Sequence, residues 1–268
     1  MKILNLSDLH INKLHYYNLN AKTRWIKALL KRYQPELIVI TGDIFESINF
    51  VAQVKGQKAP GRDDFDPYIF LHELFEGIPI IATLGNHEFC YLKVKDVLEY
   101  FTRTYNPDAF DVHYLDIVGF VEIGDYNFTG NILWYDGSQS TVEDQDLNTF
   151  ADGRWLDREI LNFNWKRENQ KCVKQIGENL KSDKINILCT HCTPHWKLNG
   201  HIKKDVPYSR NDDFNAFGGM ADFLKDIDVE YAFCGHTHLR RCLEINGVNC
   251  INCGNDYGPP YQHFFMEI

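Results

Sequence analysis

The stretch IIATLGNHE, residues 80–88, joins an apolar run to a glycine and three polar side chains. The run has the length of a buried β-strand, and Gly85 lets the backbone turn sharply or approach a ligand closely. Asn86, His87 and Glu88 then present an amide, an imidazole and a carboxylate. Because binding sites in α/β sheets lie beyond the carboxyl ends of the strands, this stretch predicts an α/β fold with a site at the edge of a sheet.

Four further apolar runs also end in Asp or His residues. The side chains that follow them are Asp8 and His10 after 3–7, Asp43 after 37–41, His191 after 185–190, and His236 and His238 after 231–234. A single histidine after a strand is usually an ordinary core residue, but five such strand ends in one chain indicate that they meet in one site. If the first strand continued through residue 10, alternation would point Asp8 and His10 the same way.

Together these strand ends provide carboxylate, amide and imidazole donors. The seven candidate metal ligands are Asp8, His10, Asp43, Asn86, His191, His236 and His238. Such a set, which contains no thiolate, suits a divalent ion such as Mn, Fe, Ni or Zn. One tetrahedral site needs only three or four ligands, whereas two ions that share a carboxylate can use seven. We therefore predict a pair of ions, which in such sites lie roughly 3.5–4 Å apart and lower the pKa of a bound water to about 7.

The composition is that of an ordinary globular protein, with 268 residues, 44% hydrophobic residues and a net charge of −9. We expect one domain over residues 1–268, because no linker, repeat or low-complexity tract interrupts the chain. The negative charge disfavours a protein that coats DNA or RNA, although it does not exclude a local basic cleft. Without a signal segment or an apolar run of about 20 residues, we expect a cytoplasmic protein with no membrane partner. The eight cysteines are then expected to be reduced core residues.

Hydrophobic periodicity predicts the elements between the motifs. We expect helices over 22–33, 66–76, near 94–101, over 154–181 in two pieces, and near 214–226. We expect a meander of strands over 111–117, 119–123 and 126–134, and three antiparallel strands over 239–245, 248–253 and 262–268. The polar segments 46–66, 137–153 and 196–213 are predicted to be loops, and their sequences do not indicate the substrate.

The chain resembles the calcineurin-like metallophosphoesterases in five sequence blocks: Asp8-x-His10, Gly42-Asp43, Gly85-Asn86-His87-Glu88, Thr190-His191 and Gly235-His236-Thr237-His238. The resemblance implies a four-layer α/β/β/α sandwich of two packed mixed sheets, with the metal site at the C-terminal ends of the strands. It implies one ion held by Asp8, His10 and His238, a second held by Asn86, His191 and His236, and Asp43 as the bridge between them.

The same resemblance implies a dinuclear metal-dependent phosphoric ester hydrolase, a phosphatase or a phosphodiesterase. A metal-bridging hydroxide would attack phosphorus directly, and His87 would assist the leaving group without binding metal. Manganese is expected to support activity in vitro. The chain lacks the Asp-Arg-Gly of the protein phosphatases in this family, because Gly42-Asp43 continues as Ile44-Phe45-Glu46-Ser47. That subfamily is therefore disfavoured.

The partner is expected to be a phosphoester substrate, and the oligomeric state cannot be predicted. His195, Arg210 and Tyr257 are candidate substrate contacts on the rim of the site. Two alternatives stay open. One is a metal-dependent nuclease, since some members of the family cut nucleic acid. The other is a non-catalytic scaffold that keeps the fold for partner binding.

Overall fold

Two mixed β-sheets form the centre of the protein. The computed structural model describes residues 1–11, 16–56, 65–138, 160–199, 219–256 and 258–268, with only the backbone of 16–18. The first sheet has five strands, in the order Phe264–Glu267 (β11), Lys2–Leu6 (β1), Leu37–Thr41 (β2), Ile80–Thr83 (β3) and Val112–Tyr114 (β4). The second has six, in the order Phe120–Ile123 (β5), Tyr126–Asn131 (β6), Ile185–Thr190 (β7), Tyr231–Cys234 (β8), Val248–Cys253 (β10) and Arg240–Ile245 (β9).

The central strands of each sheet are parallel. Strands β1 to β4 run in one direction, and so do β6, β7, β8 and β10. The antiparallel strands lie at the edges: β11 beside β1, β5 beside β6, and β9 beside β10. Parallel neighbours bring their carboxyl ends to the same edge of a sheet, so the polar residues that follow β1, β2 and β3 lie close together.

A core of apolar side chains fills the space between the two sheets. Ile3 and Val39 of the first sheet belong to the same cluster as Phe128, Ile187 and Phe233 of the second. Because successive strand residues point to opposite faces, their neighbours in sequence belong to the outer layers. Strands buried on both faces have no polar face, which explains why these runs are apolar without alternation.

Helices cover the outer faces of the sheets. The longer helices are Tyr16–Tyr33 (α1), Pro67–Leu74 (α3), Val94–Thr104 (α5) and Trp165–Asn179 (α7), and the short ones are Val51–Val54 (α2), Asn86–Phe89 (α4) and Leu115–Val118 (α6). Ile26 and Val97 from α1 and α5 join the outer cluster that contains Leu4 and Ile38 of the first sheet. The predicted four-layer α/β/β/α sandwich is therefore confirmed.

The predicted meander over 111–134 is wrong. Strand β4 pairs with β3 in the first sheet, whereas β5 and β6 form a hairpin in the second. Between them the short helix α6 ends at Gly119, whose φ is 83°. The chain changes sheets at this point, so it cannot continue as one meander, and glycine permits the left-handed turn that the change requires.

Several other predicted elements differ in the structure. Strands β9 and β10 are antiparallel as predicted, but β11 pairs with β1 of the first sheet. The described part of the predicted loop 46–66 contains the 3-10 turn Ser47–Asn49 and α2. Within 219–226, the predicted helix is reduced to the 3-10 turn Leu224–Asp226. The first piece of the helix predicted over 154–181 lies largely outside the described residues, and α7 forms the second.

The cysteines are free thiols, and they are buried except for Cys242 on β9. This agrees with their predicted use as small apolar residues. Within the part of the chain that the structure describes, none of the helices has the length and apolar character that a membrane crossing demands.

Candidate metal centre

The seven predicted ligands follow five strands; six lie in loops, and Asn86 begins the short helix α4. Five of them have left-handed backbone conformations, with φ between 43° and 68°: Asp8, His10, Asp43, His236 and His238. Residues other than glycine rarely adopt this region, and they do so mainly at functional sites where the surrounding structure holds them. Strand β1 ends at Leu6, so it does not continue through residue 10 and strand alternation does not align Asp8 with His10. Left-handed turns bring the two side chains together instead.

Asp8, His10 and His238 form a group that we call the Asp8 trio. Their potential ligand atoms lie within 4.8 Å of one another. Nε2 of His238 is 3.3 Å from Nε2 of His10 and 3.5 Å from Oδ1 of Asp8. Burial lowers the pKa of His10, which favours the neutral imidazole that a metal ion needs. The trio thus offers one carboxylate and two imidazoles to a common point.

Asp43, His191 and His236 form a second group, the His191 trio, whose ligand atoms also lie within 4.8 Å of one another. Nε2 of His191 is 3.4 Å from Oδ1 of Asp43 and 3.2 Å from Nδ1 of His236. Oδ1 of Asn86 is 3.0 Å from the same nitrogen. The structure therefore places all seven predicted ligands in two adjoining clusters, with Asn86 beside the second.

The hydrogen bonds of His191 indicate whether these residues can bind a cation. Nδ1 of His191 lies 2.9 Å from the carbonyl oxygen of Thr41, so Nδ1 carries a proton. If the ring is neutral, its Nε2 lone pair therefore faces the oxygens of Asn86 and Asp43. Acceptors that face one another need a positive charge between them. Although burial lowers the pKa of His191, the Asp43 carboxylate raises it to about 10. A divalent ion meets the same need, and the backbone acceptor behind His191 is the usual support of a metal-binding imidazole.

Glu46 connects His87 with His10. Nδ1 of His87 lies 3.0 Å from both carboxylate oxygens of Glu46, and Nδ1 of His10 lies 3.3 Å from one of them. The two imidazole rings meet edge to face with centroids 4.4 Å apart. Burial raises the pKa of Glu46, but the hydrogen bonds from His10 and His87 lower it to about 2. Glu46 thus orients both a predicted ligand and the predicted proton donor.

From the sequence, Glu46 was not predicted to belong to the site. A usable signal was present, because Glu46 follows Asp43 by three residues within the same motif. Its role depends, however, on the fold of the loop after β2 and on the position of His87 in α4, and spacing alone does not give these.

Two glycines allow the loops to approach the ligands. A Cβ atom on Gly85 would lie 2.1 Å from Oδ1 of Asp43. A Cβ atom on Gly235 would lie 1.8 Å from Oγ of Ser7 and 2.6 Å from Oδ2 of Asp8. Neither distance is possible for nonbonded atoms, so only glycine fits these positions without moving the carboxylates.

Glu88 joins two of the loops rather than facing the trios. It is fully buried, and its carboxylate accepts hydrogen bonds from the backbone N–H groups of Phe45 and Gly85, at 2.7 and 2.8 Å. The backbone N–H of His87 donates to Oδ1 of Asp43 at 2.9 Å. These bonds fix the loop after β2 against α4, which indicates a structural role for Glu88.

The predicted substrate contacts are less well defined. His195 is 4% exposed and stacks on Trp196, and its Nε2 lies 3.7 Å from Asp222. These contacts join His195 to Trp196 in its own loop and to Asp222 in a distant segment, and its contact with substrate stays a prediction. Arg210 and Tyr257 lie outside the described residues.

Comparisons with known proteins concern the family and the fold of this chain. A family model described as calcineurin-like phosphoesterase matches residues 1–240. Phosphopantetheinyl hydrolase from Mycobacterium tuberculosis has a similar structure, with a TM-score of 0.66 at 15% identity over 94% of this chain and 88% of that chain. The protein TT1561 of Thermus thermophilus gives 0.54 at 11% identity over 95% and 89%. At these identities the likeness concerns the fold alone. Among curated protein sequences, none matches this chain.

Proposed function

Since the chain belongs to the calcineurin-like phosphoesterase family, we propose that it hydrolyses a phosphate mono- or diester with the help of two divalent metal ions. One observation supports this most strongly. The Nε2 lone pair of His191 faces acceptor oxygens of Asp43 and Asn86, beside the carboxylate and imidazoles of the Asp8 trio. Such an arrangement is unfavourable unless positive charge lies within it.

In this proposal Asp8, His10 and His238 hold one ion, and Asn86, His191 and His236 hold the other. Asp43 would contribute to both, because a carboxylate is anionic and has two oxygens. Manganese, iron, nickel or zinc suits this donor set. When bound, the ions would lower the pKa of a water so that it attacks phosphorus directly, and they would offset the charge of the phosphoryl oxygens.

His87 donates the proton that the leaving oxygen needs. Burial lowers the pKa of His87, but the Asp43 and Glu46 carboxylates raise it to about 9, so the ring is an imidazolium at neutral pH. Cations at the trios would lower this pKa towards neutrality, where a general acid is most effective. Because Glu46 holds Nδ1, the proton on Nε2 is the one available, and Nε2 lies 3.8 Å from Oδ2 of Asp43.

The experiment is a substrate panel with the metal content measured in parallel. The protein is stripped with a chelator, reloaded with manganese, and assayed on phosphomonoesters, cyclic nucleotides, nucleotide diesters, oligonucleotides and phosphopeptides. We expect two ions per chain, turnover of at least one class, and loss of turnover for Asp43→Asn. A protein that binds two ions but hydrolyses none of these would favour a scaffold, and salt-sensitive cleavage restricted to oligonucleotides would favour a nuclease.

A further inference from the structure

Lys22 on α1 is a charged side chain in the interior. It is 1% exposed, and its ammonium group donates to the carbonyl oxygen of Leu9. The same nitrogen lies 5.8 Å from the centroid of the Tyr261 ring. Lysine is almost never fully buried unless it is paired, because removing an ammonium group from water is costly. Its position therefore calls for a physical reason.

The packing of α1 does not explain why a lysine is buried at position 22. Lys22, Ile26 and Leu29 follow one another at helical spacing, and all three are buried. An apolar side chain at position 22 would continue this face of the helix without any loss of charge hydration. Replacing a buried charge by an apolar group of similar volume is often neutral or stabilising. A methionine at position 22 would therefore stabilise the fold about as well as Lys22 does.

The hydrogen bond of Lys22 reaches the loop that carries two predicted ligands. Leu9 lies between Asp8 and His10, both of which are left-handed. The N–H groups of Asp8 and His10 donate to the carbonyl oxygens of Gly42 and Asp43. These bonds tie the loop to the segment after β2, whereas Lys22 ties the Leu9 carbonyl to α1. Hydrogen bonds therefore hold the loop through the N–H groups of Asp8 and His10 and through the carbonyl oxygen of Leu9.

Two carboxylates make this position suitable for a positive charge. Burial lowers the pKa of Lys22 to about 8, against the raising effect of Glu46 and Asp8. Glu46 orients His10, and Asp8 belongs to the same trio, so both carboxylates that act on Lys22 lie at one half of the centre.

We propose that Lys22 is a positioning residue, which holds the Leu9 carbonyl and thereby keeps Asp8 and His10 in the geometry that a shared metal ion requires. The inference rests on the proposed function, because it takes the Asp8 trio to be a metal site. Residues that support metal ligands from behind typically change metal affinity by about 10- to 100-fold when they are replaced.

The test compares Lys22→Met with Lys27→Met, a matched change at an exposed lysine of the same helix. Manganese affinity is measured by competition with a chelator, and the bound ions are followed by electron paramagnetic resonance. We expect Lys22→Met to lower the affinity for one of the two manganese ions by about 10- to 100-fold. At limiting manganese, the resonance spectrum should then change from that of a spin-coupled pair of ions to that of a single ion. The melting temperature of the metal-free protein should stay the same or rise. Lys27→Met should match the wild type.

Each other outcome counts against the inference. If Lys22→Met binds both ions with wild-type affinity, Lys22 does not position the loop. If Lys22→Met lowers the affinity for both ions and also the melting temperature of the metal-free protein, the role of Lys22 is purely structural. Lys22→Gln, a smaller change in polarity, is used if Lys22→Met does not fold, and failure of both variants to fold also overturns the inference. If the wild type itself binds no ions, the proposed function fails, and the inference that rests on it fails with it.

Discussion

Five of the seven predicted ligands have a strained backbone. A left-handed conformation costs of order 1–3 kcal/mol for a residue other than glycine, and Asp8, His10 and Asp43 all adopt it. Hydrogen bonds between the loops offset this cost, such as the one from the His10 N–H to the Asp43 carbonyl at 2.8 Å. Residue types and spacing were sufficient to predict which side chains meet. They could not predict the left-handed turns, because these depend on contacts with loops distant in sequence.

Replacing His87 tests its assignment as the proton donor. We expect His87→Ala to keep both ions but to lower kcat by about 100- to 10,000-fold, the usual contribution of a general acid. The loss should be largest for alkyl phosphoesters and smallest for p-nitrophenyl esters, because nitrophenolate leaves without a proton. Turnover is measured on both esters with the manganese content checked. An equal loss on both would contradict proton donation.

Replacing Glu46 tests whether the carboxylate orients His87. Glu46→Gln removes the charge and one of the two acceptors that face Nδ1 of His87, at 3.0 Å each. We expect kcat to fall about 10-fold, less than for His87→Ala, with little change in KM. Glu122→Gln on β5, an exposed glutamate, serves as the control. Wild-type kcat in Glu46→Gln would show that the contact is incidental.

The Gly85→Ala change tests the close approach of α4 to Asp43. A Cβ atom would lie 2.1 Å from the carboxylate and 2.2 Å from the backbone nitrogen of Asp43. We expect destabilisation of about 1–3 kcal/mol together with loss of metal binding, measured by urea unfolding and metal analysis. Gly177→Ala in α7, where the added atom has nothing within 4 Å, should instead stabilise the protein by about 1 kcal/mol. Two bound ions in Gly85→Ala would refute the steric argument.

Elements with local signals were predicted well, and those decided by distant partners were not. Helix α3 begins after Asp66, whose side chain accepts from the N–H groups of Tyr68 and Ile69, and Pro67 occupies its first turn. These are local helix-start signals. In contrast, β4 and β5 are close in sequence but join different sheets. Periodicity shows that a strand exists without showing which sheet it joins.

Asp116 on α6 connects the two sheets near the site. Its carboxylate accepts the N–H of Leu84, which follows β3, at 2.7 Å and the N–H of Ile132, which follows β6, at 2.9 Å. Leu84 precedes the glycine that approaches Asp43, so this link bears on the loop that carries Asn86. Burial raises the pKa of Asp116 to about 6, against the lowering effect of these two hydrogen bonds.

This shift predicts a pH dependence of stability. The pKa of Asp116 in the folded protein, about 6, exceeds its ordinary value of 3.8, so the folded state binds more protons between these values. Its contribution to stability is present at low pH and is lost as pH rises through 6. Because Asp116 is half-buried, we expect this contribution to the free energy of unfolding to be about 1–2 kcal/mol. From pH 4 to 7, the free energy of unfolding of the wild type minus that of Asp116→Asn should fall by this amount, measured by urea unfolding. A constant difference would contradict the shift.

The centre requires the whole molecule, because its ligands come from both sheets. Asp8, His10, Asp43 and Asn86 follow strands of the first sheet, and His191, His236 and His238 follow strands of the second. The amide of His236 donates to the Asp8 carboxylate at 3.1 Å and thereby joins the two sets. The site is therefore complete only when the two sheets are packed together. Five apolar runs that each end in Asp, Asn or His predicted this convergence, because sites in α/β sheets lie beyond the carboxyl ends of the strands.

The most direct test is anomalous diffraction from a crystal of the protein loaded with manganese. The account predicts two peaks roughly 3.5–4 Å apart. One should lie among Asp8, His10 and His238, the other among Asn86, His191 and His236, with Asp43 in contact with both. A single peak, or manganese bound away from these seven side chains, would contradict it.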